Sequence, residues 1–197
     1  MKPQELLVWR HPRPQGAEGR CIGARTDLPV HWRRAKRLAR RIQAEARRER
    51  LPHMVWTSPL QRCADVGRWL RRWGWTHRRD AALLELDFGS WDGRRWSEIG
   101  PPDIDAWVAD FAGHAPGNGE CLRAMLQRVA SFEAPAGSML VTHGGWMLAR
   151  RWLEVHGANT EPPSASKWPA PPPYACCWRI NCCLRMLNAI EIRSSSD

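Results

Sequence analysis

The sequence predicts an α/β protein in which a mostly parallel central sheet is covered by helices on both faces, a three-layer α/β/α sandwich. Three observations carry this. Apolar runs of strand length alternate with stretches whose apolar residues recur at helical spacing, the pattern of a parallel sheet built from crossover units. Two of the runs, Leu6-Leu7-Val8 and Met139-Leu140-Val141, lead into histidines, His11 and His143, and strand ends of such sheets are where ligands usually bind. Finally, 197 residues at 43% hydrophobic content suffice for one domain with a full core.

The elements follow in order. A strand is expected over Glu5 to Trp9, then a long loop from Pro12 to Val30. A helix follows over His31 to Arg50, because Ala35, Leu38, Ala39, Ile42 and Ala46 share one face and arginines decorate the others. The strand Met54 to Thr57 leads to a helix from Pro59 to about Trp73, with Ser58 as its cap and Pro59 at its first position. A short strand is placed near Ala81 to Glu85, followed by a glycine-punctuated loop from Phe88 to Arg94. Helical material runs from about Pro101 to Phe111, and the loop Gly113 to Gly119 precedes a helix over Glu120 to Glu133. After the strand Ser138 to Thr142, Gly144 and Gly145 open a helix to His156 and let backbone amides approach an anion. Glu161 to Pro173 is proline-rich and reads as a rigid irregular connection. Residues 1–173 therefore read as one domain. Residues 174–197 read as a divergent terminal segment of it, with two short strands within Tyr174 to Arg193 and a frayed end.

A net charge of +10 favours anionic partners, either a small phosphorylated molecule or nucleic acid. Much of it lies on the arginine-rich helix, Arg33, Arg34, Arg37, Arg40, Arg41, Arg47 and Arg48, which reads first as a solvated face, so a nucleic-acid partner is not expected. No stretch is long enough to span a membrane, and no secretory leader precedes the first strand, so a cytoplasmic protein with reduced thiols is expected. Cys176-Cys177 and Cys182-Cys183 lack the two-residue gap of a metal knuckle, and no metal site is expected there.

Four segments concentrate the chemistry: Arg10-His11-Pro12, Thr57 to Arg62, Glu85 to Gly93, and Val141 to Gly145. In this order they resemble the histidine phosphatase superfamily, also named for phosphoglycerate mutase, over about Leu6 to Pro173. Within it the chain looks most like the α-ribazole phosphatases of bacterial cobalamin synthesis. The supporting residues are Arg10 to Pro14, Cys21-Ile22-Gly23, Asp27-Leu28-Pro29, Glu85 to Gly93 and Pro116 to Glu120. The resemblance implies a phosphoglycerate mutase-like fold and a phosphomonoesterase that works through a phosphohistidine, without metal or other cofactor, on a small phosphorylated metabolite. α-Ribazole 5′-phosphate is the favoured substrate, its nucleoside-like body held in a Trp-lined mouth. His11 would be the nucleophile, Arg10, Arg62 and His143 would clamp the phosphoryl group, and Glu85 would protonate the leaving oxygen and then activate water.

These residue types suit the chemistry independently. A neutral imidazole accepts a phosphoryl group, and guanidinium forks match its equatorial oxygens in a bidentate manner that lysine cannot. Asp87 and Asp92 are rival acids to Glu85, and Arg25, Glu120 and Trp146 could equally line the pocket mouth or serve surface and packing roles. Three departures from the family pattern stand out: Pro12 after the nucleophile, an added Arg25, and Cys121 where serine is usual. Two other readings compete, a broad-specificity phosphatase and a basic polyanion-binding module on a decayed phosphatase fold. A mutase is disfavoured, since no extra segments are evident to enclose a bisphosphate.

Overall fold

A computed structural model of the chain describes residues 5–158 and 160–181. Strands β1 (Glu5–Arg10), β2 (Met54–Thr57), β3 (Thr76–Arg79), β4 (Met139–Thr142) and β5 (Cys177–Asn181) form one sheet in the order β3-β2-β4-β1-β5. The first four are parallel, and β5 runs antiparallel along β1.

Alternation along β1 builds both layers, because successive side chains leave a strand on opposite faces. Leu6 and Val8 pack with α4 (Leu122–Ser131) and α5 (Gly144–His156), whereas Leu7 and Trp9 pack with α1 (Trp32–Glu49) and α2 (Gln61–Arg72). α1 buries the five expected residues, Ala35, Leu38, Ala39, Ile42 and Ala46. Burying Leu38 and Ile42 is worth about 1.5–3 kcal/mol each, which outweighs the few tenths lost by a like-charged pair such as Arg33 and Arg37 on the solvent side.

α3 (Pro101–Ala109) buries no residue fully and touches the domain through Ile104 and Trp107, which pack on a small core of Cys21, Trp91 and Ile99.

Two local expectations are corrected. The strand placed near Ala81 to Glu85 is instead a single 3-10 turn, Ala81–Leu83, capped by the Asp80 carboxylate on the Ala82 amide, and the strand lies earlier at Thr76–Arg79. Ser58 and Pro59 do not start α2. Its first residue is Gln61, whose amide is met at 2.6 Å by the Asp27 carboxylate from the preceding long loop. Of the two terminal strands, one is β5, and the expected second strand, with Cys182 and Cys183, lies outside the described residues. No described helix is long and apolar enough to cross a membrane.

Candidate active site

Parallel pairing of β1 with β4 sets Arg10 opposite Thr142, so the residues that follow, His11 and His143, leave the sheet side by side. The His11 amide donates to the Thr142 carbonyl at 2.9 Å, and the two imidazole centroids lie 5.0 Å apart at 62°. Arg62 arrives from the first turn of α2. Its Nη1 and Nη2 donate to the carbonyls of Thr26 and Gly23, each at 2.7 Å, and its Nε donates to His143 Nδ1 at 3.2 Å.

These contacts assign the protons. Guanidinium nitrogens only donate, so His143 Nδ1 accepts and its hydrogen resides on Nε2. A carbonyl only accepts, so His11 Nδ1, 2.7 Å from the Pro12 carbonyl oxygen, carries the hydrogen and Nε2 keeps its lone pair. Burial, then the Arg62 charge and Arg10, hold the His11 imidazole well below the usual histidine range, against the opposing bond to Pro12. Burial and Arg62 do the same to His143. Both rings are neutral at neutral pH.

Glu85 is held by amides at both oxygens, Leu86 N at 3.1 Å on Oε1 and Gly145 N at 3.0 Å on Oε2. The anion met at the start of α5 is thus this carboxylate. The approach needs glycine at 145, where a Cβ would stand 2.2 Å from Oε1. Arg128 of α4 props the same segment, donating to the carbonyls of Ala82 and Leu84 at 2.9 and 3.0 Å while ion-paired with Glu120.

The two rival acids are engaged elsewhere. Asp92 accepts from the amides of Gly23 and Arg25, and Asp87 pairs with the Arg25 guanidinium at 2.7 Å and with the Gly89 amide. Against the opposing pull of partial burial, the Arg25 guanidinium and the Gly89 amide hold the Asp87 carboxyl below the usual carboxylate range.

A cavity of about 370 Å³ opens over this group. Arg10, His11, Arg20, Arg62 and Glu85 give it a polar lining, and Phe88, Trp96, Trp107, Phe111, Met125 and Trp168 give it an apolar one. Trp107 gathers that wall, with Trp96 stacked on it at 6.4 Å and 7° and Phe88 edge-on at 5.9 Å.

His143 does not reach the cavity wall. It is fully buried behind His11 and Arg62, and Cys63 Sγ lies 3.6 Å from its Nε2. A direct contact from His143 to a phosphoryl group would require that N–H to turn away from the sulfur. Arg25, Glu120 and Trp146 also stay off the wall: the first two are in ion pairs, and Trp146 is core, donating Nε1 to the Ala82 carbonyl at 2.8 Å. Pro12 has no amide hydrogen to offer a phosphoryl oxygen but keeps the carbonyl that orients His11. Cys121 stands at the N-cap of α4 and makes no side-chain capping bond.

Sequence reasoning did not single out Arg128 within its helix, nor Tyr174, the only tyrosine of the chain, following three prolines. Among the described residues no cluster of three His, Cys, Asp or Glu side chains is arranged to hold a metal ion.

The family described as the histidine phosphatase superfamily (branch 1) matches residues 6–163. No curated protein matches the chain. Among solved structures, TTHB049 of Thermus thermophilus is 26% identical with a TM-score of 0.62, covering 90% of this chain and 99% of that one. A phosphoglycerate mutase of the same organism is 27% identical with a TM-score of 0.61, over 89% and 98%. A mycobacterial glucosyl-3-phosphoglycerate phosphatase is 23% identical with a TM-score of 0.69, over 90% of each chain, a likeness of fold alone. The α/β fold is that of these phosphoglycerate mutase-like neighbours.

Proposed function

Because this chain belongs to the histidine phosphatase superfamily (branch 1), whose members are phosphatases and mutases, we propose that it is a phosphomonoesterase acting through phosphorylated His11. The single observation carrying this reading is His11 itself: neutral, its free Nε2 lone pair defined by the Pro12 carbonyl, in a cavity it shares with the Arg10 and Arg62 guanidiniums and the Glu85 carboxyl.

In the first half-reaction His11 Nε2 attacks phosphorus while Glu85, as general acid, delivers a proton to the departing oxygen and the P–O bond breaks. In the second, Glu85 takes a proton from water, the resulting hydroxide attacks the phosphohistidine, and the P–N bond breaks to release inorganic phosphate. Arg10 and the two unused N–H groups of Arg62 neutralise the equatorial oxygens, the role positioned charge plays in phosphoryl transfer. His143 acts through Arg62, whose Nε it receives, and no metal ion is required.

For the substrate we favour α-ribazole 5′-phosphate. The subgroup motifs support it, and so does the tryptophan-rich end of the cavity, which offers flat apolar walls to a nucleoside-like leaving group. We further propose that it acts in the cytoplasm, where thiols such as Cys21, Cys63, Cys121, Cys176 and Cys177 would stay reduced.

The test is hydrolysis in chelator by wild type and His11→Ala, over a panel of α-ribazole 5′-phosphate, phosphoglycerates and nucleotides scored by kcat/KM. Loss of at least about a thousandfold in the variant is expected, with acid-labile phosphate trapped on the wild type. Phosphate release that survives the substitution overturns the assignment. Equal kcat/KM across the panel replaces the named substrate with a broad-specificity phosphatase.

A further inference from the structure

The family match ends at residue 163, yet one wall of the cavity comes from beyond it. Trp168, Pro171 and Tyr174 reach the cavity from the connection into β5. That connection is anchored to the catalytic strand end. The Ala175 amide donates to the His11 carbonyl at 3.3 Å, the Arg10 amide donates to the Cys176 carbonyl at 3.0 Å, and β5 pairing begins at Trp9 opposite Cys177. Ala175 takes the left-handed conformation, φ 58°, a strained choice for alanine that turns the chain just after Tyr174.

The placement has a consequence for Arg10. The Tyr174 ring centroid lies 4.0 Å from the Arg10 guanidinium carbon and 5.6 Å from the His11 ring. Gly144 crowds the same group, since a Cβ there would stand 3.1 Å from the guanidinium carbon. Nη1 donates to the Pro172 carbonyl, and the buried Nε finds no acceptor among the described residues. Three contacts around one fork thus come from residues 144, 172 and 174, two of them outside the matched span.

We propose that Tyr174 is a positioning residue: stacking on its ring sets the plane in which Arg10 presents its remaining N–H groups to the phosphoryl oxygens. The proposal rests on the phosphatase reading above. A free arginine loses rotamer freedom when it engages an anion, and an arginine already stacked has lost it beforehand, so the ring raises affinity without touching the substrate's phosphorus. Cation–π stacking of a partly desolvated guanidinium is strong enough to matter at the scale of a tenfold change.

Inorganic phosphate binding by calorimetry and p-nitrophenyl phosphate hydrolysis are compared for wild type, Tyr174→Phe and Tyr174→Leu. Tyr174→Leu is expected to weaken phosphate binding and raise KM by about tenfold, with a smaller fall in kcat. The acid limb of its kcat/KM profile moves slightly to higher pH, because a guanidinium no longer held in this plane disfavours His11 protonation less. Tyr174→Phe keeps the ring face and is expected to match wild type in all three readouts. If Tyr174→Leu does not fold, Tyr174→Gln, with bulk but no aromatic face, takes its place with the same expectation.

A leucine or glutamine variant equal to wild type, or a phenylalanine variant as impaired as leucine, overturns the proposal while leaving the phosphatase reading intact. A wild type that neither binds phosphate nor hydrolyses any ester overturns both.

Discussion

Glu85 and Gly145 show how one side-chain atom more or less decides the site. The carboxylate is oriented by the Gly145 amide, and the same closeness leaves no room for a β-carbon. Gly145→Ala must therefore push the Glu85 carboxyl out of place, and because the obstacle is the tip of a side chain rather than backbone, the shift costs orientation more than stability. A fall in kcat of about a hundredfold with KM nearly unchanged is expected, the signature of a lost proton-transfer group. The melting temperature should stay within a few degrees of wild type. A variant with full kcat removes Glu85 from the acid–base role. His11, Arg10, Arg62, Glu85 and His143 were all readable as candidates from short motifs, but their division into cavity wall and backing layer was not. It depends on which way the Arg62 fork and the His143 ring turn, and that is settled by the carbonyls of Gly23 and Thr26, far away in sequence.

At the scale of elements, two loops meet almost backbone to backbone beneath the cavity. A Cβ at Gly119 would lie 2.0 Å from the Asp87 carbonyl oxygen, the acceptor of the Glu120 amide at 2.7 Å, and one at Gly89 would lie 2.0 Å from the Gly117 carbonyl oxygen. Gly119→Ala is expected to cost about 2–3 kcal/mol, as overpacking against backbone does. It would be read as a lower urea midpoint at unchanged slope, and an unchanged midpoint would contradict this packing. The elements themselves were legible where apolar spacing speaks: β2 lies where expected, and α1 differs by one residue at each end. They were illegible where it does not. β3 reads Thr-His-Arg-Arg, without the apolar alternation that marks a strand, and its place is set by pairing with β2. The apolar stretch after Asp80 looked more strand-like, but the Asp80 carboxylate turns it into a single helical turn. For α2 the local Ser58-Pro59 signal lost to Asp27, a cap supplied from 34 residues earlier.

Across the whole molecule, three buried or half-buried histidines make stability depend on pH. His11 and His143 are held low chiefly by burial, and His77, packed under Gly67 and 2.9 Å from the Thr57 hydroxyl, is pushed down to about 4 by burial and by Arg79, Arg71 and Arg68. The unfolded chain takes up these protons near pH 6.5 and the folded chain does not, so the neutral histidines stabilise fully above about pH 7. That contribution drains away as the pH falls below 6.5, by up to roughly 1.4 kcal/mol per pH unit for each of the two fully buried rings and by less for half-buried His77, which solvent screens and whose loss is complete near 4. Urea midpoints at pH 7.5 and 5.0 check this, and equal values would show the rings to be solvated. β3 has one further consequence. As a border strand it offers unpaired amides and carbonyls to any neighbouring copy, the usual starting point of fibrillar association, but its exposed Arg78 and Arg79 would bring like charges of two copies together. The residues that hid this strand from view thus double as gatekeepers against edge-to-edge pairing.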